Sequence, residues 1–266
     1  MEKIENGIRI NKYLSEAGVC SRREADRRVQ AGEVTIDGKV ATMGDRVEKG
    51  QLVCVQGRVV KREEPGVLIA LNKPRGIVCT AEKREKNNVI DFLNYPIRIY
   101  PIGRLDKESE GLLLLTNQGE IVNKMMRSGN MHEKEYLVTV NKPVTTDFLH
   151  GMANGVPILD TVTRPCKVEK LGKNKFRIIL TQGLNRQIRR MCEYFGYRVV
   201  NLKRVRIMNI RLGELKPGQY RDVTREEYAQ LQQLIANSSN LPVRPREGKE
   251  QKHDTAGKNK RIKKNN

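Results

Sequence analysis

Tryptophan is absent from this 266-residue chain, histidine occurs three times, and aromatic residues make up 5% of it. A sugar hydrolase, which holds its rings on aromatic platforms between two flanking acids, is hard to build from that stock. The five cysteines, Cys20, Cys54, Cys79, Cys166 and Cys192, are odd in number, scattered and without a CxxC pair. They argue against a disulfide framework and fit a reducing compartment. His132, His150 and His253 stand apart from one another, so no metal site is expected. Neither a Walker loop nor a GxGxxG turn is present, and no cofactor is expected. No apolar run reaches the ~20 residues that span a bilayer. The start, MEKIENGIRI, lacks the basic and apolar regions of a signal peptide, so a cytoplasmic protein with no membrane partner is expected. Acidic residues are also in deficit, 31 against 51 Lys plus Arg, a net charge of +20. That surplus exceeds what solubility needs and calls for a polyanion, nucleic acid first.

The surplus is not spread evenly. Helical spacing runs from Ile8 to Leu14 and from Ser21 to Val29, with Ser21 and Glu24 set as a capping box. Gly32 ends the second helix. Val34 to Ile36, the Asp37-Gly38 turn and Gly50 to Val55 then read as a small sheet. Arg9, Lys12, Arg22, Arg23, Arg27 and Arg28 fall in the helical part and form a basic face suited to phosphates. KREEPG, Lys61 to Gly66, is a charged, turn-prone linker. Beyond it, strands at Val67 to Leu71, Leu112 to Leu115, Glu135 to Val140 and Phe176 to Leu180 alternate with helices at Gly119 to Met126, Thr146 to Ala153 and Arg186 to Phe195. This is a mixed α/β or α+β arrangement. A last helix, Thr224 to Ile235, has Tyr228, Leu231 and Leu234 as its apolar stripe. Residues 237–266 are too poor in apolar side chains to fold, and a disordered basic tail is expected.

Chemistry concentrates in GRLDKESEGLLLLT, Gly103 to Thr116, where Asp106 stands beside arginine on a turn ahead of an apolar strand. A structural ion pair and a catalytic carboxylate both fit that placement. Three other segments supply what this one lacks. KPRGIV offers Lys73 and Arg75 at a turn where a phosphate could dock. HEKEYLVTV offers Tyr136 as a stacking platform. GLNRQIRRMCEYFGY puts Arg186 on one helical face with Arg189 or Arg190, at spacings of three and four, and one of them can pair with a carboxylate.

The first segment, IRINKYLSEAGVCSRREADRRVQAGEVTIDGKV, resembles the S4-type RNA-binding module. Together with GRLDKESEGLLLLT, KEYLV and NRQIRRM in that order, the chain from Arg9 to Ile235 resembles the RsuA-class ribosomal pseudouridine synthases. LIALNKPRGIV, HEKEYLVTV and QIRRMCEYFGY are most similar to the F-type enzymes that act on 23S rRNA. The resemblance implies an α+β chain: an S4-type domain at 7–62, then at 66–236 a catalytic domain on a mixed, mainly antiparallel sheet. It implies Asp106 as the catalytic residue, Tyr136 stacked on the target base and Arg189 paired with a buried Asp106. Arg104 would enter the space left by a flipped nucleotide, with Leu202 closing the pocket. Arg9, Lys12, Arg22, Arg23, Lys73, Arg104 and Arg186 are the expected RNA contacts. The partner would be 23S rRNA or a ribosome-assembly precursor, with a tyrosine tRNA anticodon stem-loop as an associated second substrate, and the protein would be a monomer.

Moving a base from its N1 to its C5 linkage adds and removes no atoms, so an isomerase of this kind needs no redox cofactor. An ionised Asp106 could attack C1′ or take the proton from C2′, and both routes remain open. The rival reading is an S4-bearing ribosome-assembly factor that binds RNA without changing it.

Overall fold

A computed structural model describes residues 7–60, 66–82, 84–126 and 128–238. The linker at 61–65 and the tail from 239 onward lie outside the described residues. The first unit contains β1 (Ile8–Arg9), α1 (Ile10–Glu16), α2 (Arg22–Gln30), β2 (Val34–Ile36), β3 (Lys39–Val40), β4 (Arg46–Val47), β5 (Val53–Val55) and β6 (Arg58–Val59). Strands β3, β2, β5 and β6 form one small antiparallel sheet, and β1 pairs with β4. Asp37 and Gly38 both take positive φ, as the expected two-residue turn requires. Ile10, Leu14, Ala25, Val29, Val34, Val47, Val53 and Val55 make its core.

Two expectations for this unit change. Ser21 accepts from the Glu24 amide at 3.2 Å, but the Glu24 carboxylate turns to Arg27 at 2.8 Å and Arg28 at 3.5 Å instead of completing a capping box. Arg9 belongs to β1 and precedes α1 rather than lying in the helix.

The second unit contains β7 (Leu68–Lys73), α3 (Val89–Leu93), β8 (Tyr100–Pro101), β9 (Glu110–Thr116), α4 (Gly119–Met126), β10 (Lys134–Val140), α5 (Thr146–Ala153), β11 (Pro157–Ile158), β12 (Thr161–Val162) and β13 (Lys167–Gly172). It continues with β14 (Lys175–Leu180), α6 (Gln187–Tyr194), β15 (Val199–Ile207), β16 (Ile210–Arg211), β17 (Tyr220–Asp222) and α7 (Arg225–Ile235). The main sheet runs β13-β14-β10-β15-β9-β7-β17, with β16 beside β15 and β8 beside β9. Its ladders are antiparallel except for β15 with β9, which gives the mixed, mainly antiparallel sheet of an α+β fold.

The unbroken run Leu112–Leu115 is explained by what covers the sheet. Leu113 and Leu115 enter one core with Ile69, Leu71, Val138, Phe176 and Met191. Leu112 and Leu114 enter a second core with Leu68, Ala70, Ile207 and Leu231. A strand covered on both faces has no polar side to alternate with, and each fully buried leucine contributes about 2 kcal/mol. Helix α7 starts with a complete capping box between Thr224 and Glu227. It buries Leu231 and Ile235, whereas Leu234 of the expected stripe faces solvent. Among the described residues no helix is long and apolar enough to cross a membrane.

The two units touch through charged and polar groups. The Arg98 guanidinium donates to the Ser15 carbonyl at 3.3 Å, to Ser15 Oγ at 3.2 Å and to the Cys20 carbonyl. Lys12 of α1 reaches Glu120 of α4 at 3.1 Å while also facing Glu16 at 3.6 Å.

Strands β9 and β15 pair at Gly111, which stands opposite Arg204. A Cβ at Gly111 would lie 2.2 Å from the Arg204 carbonyl oxygen, and φ there is +104°. Both facts require glycine. Gly111→Ala should therefore destabilise the second unit by more than about 3 kcal/mol or prevent its folding, read as a collapsed urea midpoint.

Candidate active site

Asp106 rides on the loop that enters β9, and backbone bonds hold that loop at both ends. The Ser109 amide donates to the Asp106 carbonyl at 3.0 Å, and the Gly76 amide donates to the Lys107 carbonyl at 2.8 Å. Leu105 is buried beneath it, with its amide directed at Cys79 Sγ at 3.4 Å. The loop is thus clamped between the turn after β7 and the start of β9. The Asp106 side chain is 32% exposed, less enclosed than expected, because it stands at the rim of a cavity rather than in the core.

Two arginines face it from the start of α6. Arg189 Nε lies 3.7 Å and Arg186 Nη1 3.8 Å from Asp106 Oδ2. These are ion pairs by charge and proximity, longer than hydrogen bonds. Helical spacing alone does not bring them together, because α6 begins at Gln187 and Arg186 is its N-cap residue. Arg186 reaches its position from a left-handed backbone, φ 49° and ψ 33°, with no side-chain cap. A non-glycine residue held there costs on the order of 1 kcal/mol, and such strain gathers at functional sites. Arg190 turns away and bonds Asn185, so Arg189 is the partner of the two.

Arg189 also organises the loop. Its Nη2 donates to the Glu108 carbonyl at 3.3 Å and to Ser109 Oγ at 3.2 Å, while among the described residues its buried Nε finds no hydrogen-bond partner. Burial, and then the Arg186 charge, push this guanidinium below its ordinary value, and Asp106 pushes back.

The cavity beside Asp106 measures about 290 Å³. Tyr136 and Leu202 line it, both nine-tenths buried, and exposed Arg104 stands at its edge. The structure therefore gathers Asp106, Tyr136, Arg189, Arg104, Arg186 and Leu202 from four separate segments. Arg9, Arg22 and Arg23 remain exposed on the first unit, away from the lining of this cavity. Lys12 is engaged with Glu16 and Glu120, so its charge serves the contact between the units.

Lys73 corrects the sequence reading. It is 0% exposed and its Nζ donates to the Pro74 and Ile77 carbonyls at 2.8 Å each, so it braces the turn and cannot meet a phosphate. Burial lowers its affinity for a proton.

Two cations in the cavity wall escaped that reading. Lys134 stands two residues before Tyr136 on β10, a spacing that puts both side chains on one face. Arg204, 3% exposed, pairs with Tyr136 across β10 and β15. The period of two within KEYLV could have found Lys134. Nothing local marks Arg204, whose position depends on a strand pairing distant in sequence.

A family model described as RNA pseudouridylate synthase matches residues 67–194, and an S4 domain model matches residues 8–53. The chain belongs to the RNA pseudouridine synthases, enzymes of the isomerase class, and carries an S4 domain ahead of the catalytic one. It is 55% identical over 244 residues to the dual-specificity RNA pseudouridine synthase RluF of Escherichia coli (strain K12), covering 91% of this chain and 84% of that one. Ribosomal large subunit pseudouridine synthase B of Bacillus subtilis (strain 168) is 36% identical over 241 residues, 87% of this chain and 98% of that one. A crystal structure of a pseudouridylate synthase shares the fold with a TM-score of 0.62 at 28% identity, covering 84% and 99% of the two chains.

Burial, reinforced by the Arg204 charge, brings the Lys134 ammonium down from 10.5 to about 8. A lysine whose proton is held less tightly in the folded than in the unfolded chain destabilises the fold below pH 8, and that cost fades as pH rises towards 10.5. Lys134→Met should therefore raise stability at pH 7, by on the order of 2 kcal/mol. Urea unfolding at pH 7, 9 and 10.5 should show the gain shrinking with pH.

Proposed function

We propose that this chain converts a uridine of 23S rRNA to pseudouridine, with an anticodon stem-loop of tRNA as a second substrate. The observation that carries this reading is the carboxylate of Asp106, braced by two guanidiniums at the rim of a cavity lined by Tyr136 and Leu202. The relative's dual specificity supports the two-substrate form, and the ribosomal name of the Bacillus relative supports rRNA. The working unit is a monomer in the cytoplasm, with the S4-type domain at 7–62 and the catalytic domain at 66–236.

In this mechanism the target nucleotide leaves its stack, at a cost of a few kcal/mol that pocket contacts offset. Its base enters the cavity over Tyr136, and Arg104 takes the space it vacates. Asp106 acts on the sugar, at C1′ or at C2′, while the N1 to C1′ bond breaks; the base turns and rejoins through C5. Arg189 and Arg186 face the carboxylate and orient it, and Arg189 keeps its loop in register. Exposed Arg9, Arg22 and Arg23 hold the RNA backbone at the S4-type domain.

Asp106→Asn should abolish pseudouridine formation, a loss of about 10³-fold or more, while RNA affinity stays within about threefold. Pseudouridine mapping of rRNA and tRNA from cells with and without the gene reads the targets. Unchanged isomerisation by Asp106→Asn would return the chain to the role of an RNA-binding assembly factor.

A further inference from the structure

The cavity beside Asp106 is polarised in depth. Arg104 and Arg186 are exposed at its rim, and Asp106 is 32% exposed. Arg204, by contrast, is 3% exposed and shares the cavity wall with Leu180, Tyr136, Leu202 and Lys134. Arg204 Nε donates to the Leu112 carbonyl at 2.7 Å, and among the described residues its buried Nη2 has no hydrogen-bond partner. Among the described residues Lys134 Nζ donates only to the His132 carbonyl, at 3.2 Å, which leaves ammonium protons over. One buried and one half-buried cation in the same partly apolar wall, with donors to spare, are costly unless something anionic or strongly accepting meets them. A backbone phosphate stays with the exposed arginines at the rim, whereas a flipped base goes inward and carries two carbonyl acceptors on its ring.

We infer that Lys134 and Arg204 take up the negative charge of the uracil ring at the moment it is detached from the ribose. This rests on the proposed role of Asp106. When the N1 to C1′ bond breaks, its electron pair leaves with N1 and spreads onto O2 and O4. C1′ is satisfied by a bond to an Asp106 oxygen, or by the C2′–H electron pair as Asp106 takes that proton. C5 of the anion then bonds to C1′, releasing the carboxylate or recovering the C2′ proton. The C5 proton is lost to water and N1 takes one from water, so the sum is an isomerisation. Cationic donors placed where charge develops strengthen as the bond breaks and so act on the rate more than on binding. The low proton affinity of Lys134 marks the same desolvation, and at neutral pH the ammonium is still the main form.

The test is single-turnover kinetics on a substrate RNA containing uridine or 5-fluorouridine at the target, with Asp106→Asn as control. Fluorine withdraws electron density and stabilises the departing ring by itself, and its substrate is followed by loss of 5-fluorouridine on digestion. Lys134→Met should slow uridine turnover about 10²-fold with RNA affinity within about threefold, and slow 5-fluorouridine turnover by less than about tenfold. Lys134→Arg, which keeps the charge, should recover most of the rate and guards against a folding effect. Equal losses on both substrates, or uridine turnover within about threefold of the parent, would overturn the assignment. If Lys134→Met is active while Asp106→Asn is dead, this inference alone falls; if Asp106→Asn is active, the reading of the site falls with it.

Discussion

Strands β9 and β15 lie side by side at Gly111, where a methyl group would overlap the Arg204 carbonyl, and this approach locates both halves of the site. On one side of the contact the chain has just left the Asp106 loop. On the other, β15 continues into Leu202 and Arg204 of the cavity wall and pairs across to β10, which carries Tyr136 and Lys134. The distance from the Asp106 carboxylate to the Tyr136 ring is therefore set by main-chain packing through the middle of the sheet. The leucines that follow Gly111 anchor that packing into two cores at once.

The arginines of this chain do different work according to depth. At the surface Arg9, Arg22 and Arg23 expose their charge to solvent on the first unit. Arg189, 8% exposed, spends its hydrogen bonds on Glu108, Ser109 and the Val199 carbonyl and offers only its charge to Asp106. Deeper still, Arg204 hydrogen-bonds the strand backbone and leaves one nitrogen unmatched. The overall excess of positive charge visible in the composition conceals this division, because burial converts a nonspecific attraction into a placed donor.

Much of the architecture was legible in the sequence. The helices Gly119–Met126 and Thr146–Ala153 match their expected limits, since their apolar spacing is decided locally. The motifs around Asp106, Tyr136 and Arg189 led to residues that do meet in space. What stayed hidden depended on partners far along the chain. Strand β15, at the centre of the sheet, was not expected, because inward-facing Arg204 breaks the apolar alternation that marks a strand. Lys73 read as a phosphate ligand because composition cannot tell a lysine that caps turn carbonyls from one that faces water. Leu234 and Ile235 exchange faces for a similar reason: which edge of α7 meets the sheet is fixed by tertiary packing.

Arg98 shows what such packing does on a larger scale. A single guanidinium inserted at Ser15 and Cys20, where the first helix gives way to the second, holds the S4-type unit to the catalytic unit, with Lys12 and Glu120 as a second strut. Rotating one unit against the other would strip several acceptors from one half-buried charge at once. The distance from the S4-type unit to the Asp106 loop is thus carried by a few polar side chains rather than by a shared apolar core.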